Sequence, residues 1–163
     1  MVDKASFAPA EWKKVLESPL LAGFAITAAD PSSFVGSLQE AFAEARSLAE
    51  AKTGGSGLIK TIAEELLTSS GRADAREGIR TIAAGATSAG QIKERALEAL
   101  KEVSAILDQK APDEAKTVKS WLGQIAKTVA EAGTEGGFLG FGGVKVSDAE
   151  KATLKEISKI LAV

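Results

Sequence analysis

The sequence predicts an all-α fold, a single compact bundle of about seven or eight helices over 1–163. Three observations carry that expectation. Apolar residues recur at three- and four-residue spacing along nearly the whole chain, and strand-like alternation is missing. Alanine, leucine, glutamate and lysine, all good helix formers, dominate. At 163 residues the chain is long enough to bury a sizeable core as one domain.

The elements follow in order. Pro9 can open a short helix through "AEWKKVLE", and Ser18-Pro19 is expected to break it, because the residue before proline disfavours the helical region. "PLLAGFAITAA", Pro19 to Ala29, then reads as a buried helix; a bilayer-spanning segment needs about 20 apolar residues. Asp30-Pro31 pairs an N-cap with a proline at the first helical position, and the helix it opens carries Phe34, Val35, Leu38, Phe42, Ala45 and Leu48. "KTGGSG", Lys52 to Gly57, is a turn. A helix from Leu58 presents Ile59, Ile62, Ala63 and Leu66, and "TSSG", Thr68 to Gly71, ends it. A weaker helix from Arg72 to Gly85 carries Gly78, Ile79 and Ile82. Ser88 and Gln91 form a capping box ahead of Ile92, Ala96, Leu100, Val103 and Leu107. Ala111-Pro112 interrupts the pattern, which resumes with Val118, Trp121, Leu122, Ile125 and Val129. After a long loop at 133–146, Ser147 and Glu150 form a second capping box, and Leu154, Ile157 and Leu161 line the last helix.

Trp121 stands on the apolar stripe of its helix and is expected in the central core. Trp12, beside Lys13 and Lys14, is expected to clamp the first helix onto the bundle.

The residue types that are missing narrow the chemistry. The chain has no histidine, no cysteine and no tyrosine. Ser-His-Asp catalysis, histidine metal sites, thiolate zinc sites and cysteine nucleophiles are therefore ruled out for this chain, while carboxylate, lysine and serine chemistry survive. A formal net charge of −2 with interspersed acids and bases predicts no nucleic-acid binding. The start "MVDKASFAPAEWKK" lacks a basic segment followed by an apolar run, so a cytoplasmic protein without a transmembrane segment is expected.

The candidate site lies around "GGFLGFGG", Gly136 to Gly143. Phe138, Leu139 and Phe141 sit among glycines between two helices, which suits either an exposed partner-docking tip or a plug folded back on the core. The preferred arrangement packs Phe138 and Phe141 back between the last two helices and leaves Leu139 at the tip for an unknown protein partner. The carboxylates flanking this loop, Glu131, Glu135, Asp148 and Glu150, could converge on Ca²⁺ or Mg²⁺, which take oxygen ligands. Their simpler role is helix punctuation, since Asp148 and Glu150 favour a helix N-terminus electrostatically. No catalytic residue and no organic cofactor are expected.

The segment "VAEAGTEGGFLGFGGVKVSDAEKATLKEISKIL" is a helix, a glycine-rich loop and then V-S-x-x-E-x-x-x-L-x-x-I-x-x-x-L. It resembles the helix–loop–helix of the TerB-like tellurite-resistance family, covering about a fifth of the chain. The resemblance implies a compact all-α, cytoplasmic bacterial protein tied to stress response, with acidic metal contacts. Ser147 and Glu150 match the family's helix start, whereas Ala132-Gly133 stands where the family has Ala-Asp-Gly. The function expected is thus a non-enzymatic helical binding protein; the alternative is a carboxylate enzyme or metal-binding protein using a divalent ion.

Overall fold

The computed structural model describes residues 2–29, 57–132 and 146–163. Among them the chain is all-helical, with six α-helices, one short 3₁₀ turn at Lys4–Ser6 and no strand. The helices are α1 (Pro9–Ala29), α2 (Leu58–Leu67), α3 (Ser69–Ala83), α4 (Ala89–Lys110), α5 (Pro112–Ala132) and α6 (Asp148–Leu161). The helix expected from Phe34 to Leu48, its start at Asp30-Pro31 and most of the Lys52–Gly57 turn lie outside the described residues.

Six is fewer than the seven or eight expected, and one helix is lost by fusion. The helix opened by Pro9 runs straight through Ser18-Pro19 to Ala29. Proline at 19 cannot donate to the carbonyl four residues back, which belongs to Val15. The Ser18 hydroxyl donates to that same Val15 carbonyl at 2.7 Å, so the acceptor is satisfied and the ladder continues. Burial does the rest, since every residue from Ser18 to Ala28 is buried. A helix that is apolar all round needs neighbours on every side. α1 has them: it is the central rod, packed most extensively on α4, then on α5 and α3, and also on α6 and α2.

A second departure concerns "TSSG". Thr68 ends α2 and caps α3 at once: its hydroxyl donates to the Glu65 carbonyl at 2.7 Å and accepts the Gly71 N–H at 2.9 Å. The following helix therefore starts at Ser69, inside the stretch expected to be a break.

The remaining joints behave as their sequences suggest. Ser88 accepts the Gln91 N–H at 3.2 Å, though the Gln91 side chain takes the Thr87 N–H rather than that of Ser88. Arg95 closes the other side of this joint by donating to the Ile82 and Ala84 carbonyls near the end of α3. α4 ends at Lys110, and Pro112 opens α5. α2 starts at Gly57, whose φ of 91° suits glycine, and its Leu58 N–H is capped from far along the chain by the Glu114 carboxylate at 2.6 Å.

One hydrophobic core draws on all six helices. Trp121 lies at its centre, 1% exposed, among Leu16, Leu21, Leu100, Leu107, Leu122 and Ile157, all buried. Trp12 is buried too, tilted against the Phe7 ring at 5.6 Å between centroids, with the Lys4 ammonium 6.0 Å from its ring centre. Lys4 also pairs with Glu65 at 2.6 Å, so the N-terminal turn fastens α1 to α2 over the tryptophan. No helix among the described residues is long and apolar enough to cross a membrane.

Candidate functional site

α5 and α6 pack on each other, and they carry the two ends of the segment 133–145. Phe138, Leu139, Phe141 and Glu135 fall in that segment, outside the described residues. Of the residues singled out from the sequence, the structure describes Glu131, Asp148 and Glu150.

These three sit differently. Glu131 is exposed in the last turn of α5, with the Lys127 ammonium 3.9 Å away, one turn back. Asp148 opens α6 fully exposed, with Lys151 at 3.5 Å. Glu150 is 4% exposed. Its carboxylate accepts the Ser147 N–H at 2.9 Å while the Ser147 hydroxyl accepts the Glu150 N–H at 3.2 Å. Both halves of the capping box are therefore present. No group of three or more carboxylates placed to hold a metal stands together among the described residues.

The buried polar side chains of the rest of the bundle go into architecture. Thr27 and Thr153 donate to carbonyls of their own helices, and Ser104 donates across to the Ile160 carbonyl at 3.2 Å. The buried Lys119 ammonium on α5 holds Asp108 of α4 at 2.6 Å. Trp12 Nε1 is the exception, buried with no hydrogen-bond partner among the described residues.

Sequence reading passed over Glu17, which has the most perturbed chemistry of the described residues. It lies half-buried on α1, in the helical row that continues with the buried Leu20 and Phe24. Its carboxylate occupies the space beside Gly78 of α3, where an added β-carbon would overlap it. Burial pushes this carboxyl up to about 7; Lys14 opposes the shift and Glu102 of α4 adds to it. Lys14 is itself ion-paired with Glu102, so its help to Glu17 is shared. The signal was present in the sequence: an acid at the start of the apolar stretch of α1, and a glycine in the middle of an amphipathic helix.

The chain matches no protein-family model, no curated protein and no solved structure. Function must therefore be argued from its own residues.

Proposed function

We propose that this chain is a non-enzymatic helical protein of the bacterial cytoplasm that works by binding a protein partner, in a TerB-like stress-response role. The observation that carries the reading is the use made of its polar groups. With histidine, cysteine and tyrosine missing from the sequence, catalysis would fall to carboxylates, lysines or serines. The buried examples named above close helix ends, join helices or neutralise one another. What the sequence offers in addition is an apolar group, Phe138, Leu139 and Phe141, between two helices that pack together. The reading takes the exposed docking tip for all three residues, the alternative to the arrangement in which Phe138 and Phe141 pack back on the bundle.

The experiment is a titration of the purified chain with CaCl₂ and MgCl₂ by calorimetry, beside a dye-binding assay for exposed apolar surface on the chain and on its Phe138→Ser/Phe141→Ser variant. The binding reading expects no heat from either ion, and dye binding lost in the variant with unfolding unchanged. Saturable heat that Asp148→Asn or Glu135→Gln abolishes would move the assignment to a divalent-metal protein. The stress-response part is tested separately, by the tellurite sensitivity of a strain lacking the protein.

A further inference from the structure

The face between α1 and α3 is built unlike the rest of the bundle. α3 has only Gly71 and Ala75 buried, with Ile79 and Ile82 half-buried. Small residues let it approach α1 closely, and the Glu17 carboxylate fills the gap left at Gly78. A carboxylate in that place has two states of very different cost. Neutral, it packs as a small polar group against a helix backbone. Ionised, it carries a charge into a half-buried contact that hydrates it incompletely, and it gains from a cation or from more water.

The charged groups around it relieve this only in part, through Lys14. Lys14, on the same helix, is held by Glu102 of α4. Glu102 adds repulsion rather than relief. On α3, the charged residue one turn before Gly78 is Asp74, another acid, and it is paired with Lys13 at 3.8 Å. Farther along α4, Glu98 is exposed and pairs with Lys101. The ionised carboxylate gains most by greater exposure to water, which it finds by leaving the notch, and α3 then loses that contact.

We infer that Glu17 against the Gly78 notch is a protonation-controlled latch: α3 docks on α1 while the carboxyl is neutral and loosens when it ionises. This inference is independent of any partner at the Phe-Gly segment. The direction follows from linkage. The docked state holds the proton more tightly than an opened state, in which Glu17 returns towards the ordinary carboxylate value. Raising the pH through neutrality therefore favours opening, and acidification closes the latch. Opening would uncover the α3 face around Gly78 and the flank of α1 beneath it.

The test is hydrogen exchange of the full chain at pH 5.5 and pH 8, with times rescaled for intrinsic exchange. Protection across 69–83 should fall on the order of 10-fold relative to 89–110 as the pH rises. Glu17→Gln, neutral and nearly isosteric, should keep α3 protected at both pH values. Gly78→Ala should push the flexible Glu17 carboxylate out of the notch, so that the protection of α3 no longer varies with pH. Equal protection of α3 at the two pH values in the native chain would overturn the latch, and so would a pH-dependent loss that persists undiminished in Glu17→Gln.

Discussion

α1 and α3 are both helices of this bundle, yet they are held by different forces. From Ser18 to Ala28, α1 is buried throughout, and it shares one core with leucines, isoleucines, valines and Trp121 of other helices. Dispersion and hydrophobic burial are non-directional and nearly independent of pH, so that region has one state until the whole core fails. α3 buries little, meets α1 through small residues, and sets one titratable group into the contact. Stability concentrated in apolar volume makes an element permanent. Stability that depends on one proton makes it conditional.

The first way to strain the comparison is at the centre of the permanent region. Trp121→Ala should cost about 3–5 kcal/mol, since it empties the largest fully buried side chain of the core. Denaturant unfolding reads it directly, and an unchanged midpoint would remove Trp121 from its assigned place.

Glu17→Gln probes the conditional region, with the opposite sign. Below its ordinary value of 4.5, Glu17 is protonated folded or unfolded and costs nothing. Between 4.5 and about 7 the unfolded chain ionises while the folded chain resists, so stability falls as pH rises. Above about 7 the penalty is complete. It amounts to at most about 3 kcal/mol, and to less where α3 loosens or water reaches the carboxylate. The glutamine variant should therefore be more stable than the native chain at pH 8 and nearly equal to it at pH 4.5. A variant that is destabilised equally at both would show that Glu17 contributes a packing contact and no charge-dependent one.

Much of the permanent region was legible in the sequence. The apolar rows gave the burial of Trp121, Leu122, Ile125 and Ile157, and the box residues Ser147 and Glu150 marked the start of α6. Where the sequence misled, a local rule was overridden by a single side chain. Ser18-Pro19 reads as a break because the proline lacks a donor, and nothing in the pattern says that a serine hydroxyl will serve the stranded carbonyl. "TSSG" reads as a stop because one threonine's double use cannot be seen in composition. The Glu114 cap on α2 joins residues 56 apart, a distance at which spacing carries no information. Glu17 is a related case. Its row on α1 was visible, but the notch that receives it belongs to a helix some 60 positions later. Of the site chosen from sequence, Glu150 closes the capping box of its helix, and the aromatic residues lie outside the described residues.

The Ser18 reading can be sharpened by deleting its hydroxyl. Ser18→Ala leaves the Val15 carbonyl buried beside a proline that cannot donate to it, which should cost about 1–3 kcal/mol. Helicity of the folded state should stay the same, because packing around α1 fixes its path. The informative control is Ser18→Ala combined with Pro19→Ala, in which the restored N–H can serve Val15. The double variant should recover part of the loss. If it recovers none, the hydroxyl's role in carrying the helix past the proline is refuted.

The smallest effect is expected on the outer face of α4, and it separates ordinary surface charge from the charge at the latch. Lys101 and Glu98 lie 3.8 Å apart, and both side chains are 67% exposed. Such a pair sits in water and gives up side-chain entropy to form, so Lys101→Ala should cost no more than about 0.5 kcal/mol, and less in high salt. Glu94, Glu98 and Glu102 follow one another at four-residue spacing, and losing Lys101 leaves their mutual repulsion slightly less relieved. Lys14→Ala is the matched comparison. It also removes one lysine from one exposed ion pair, with Glu102, but Lys14 in addition lowers the cost of ionising Glu17. Its loss should therefore be greater than that of Lys101 at pH 8, and the excess should shrink as the pH falls below 4.5, where Glu17 becomes neutral in both states. Equal losses at pH 8 would mean that Lys14 is ordinary surface charge, and that Glu17 is ionised without its help.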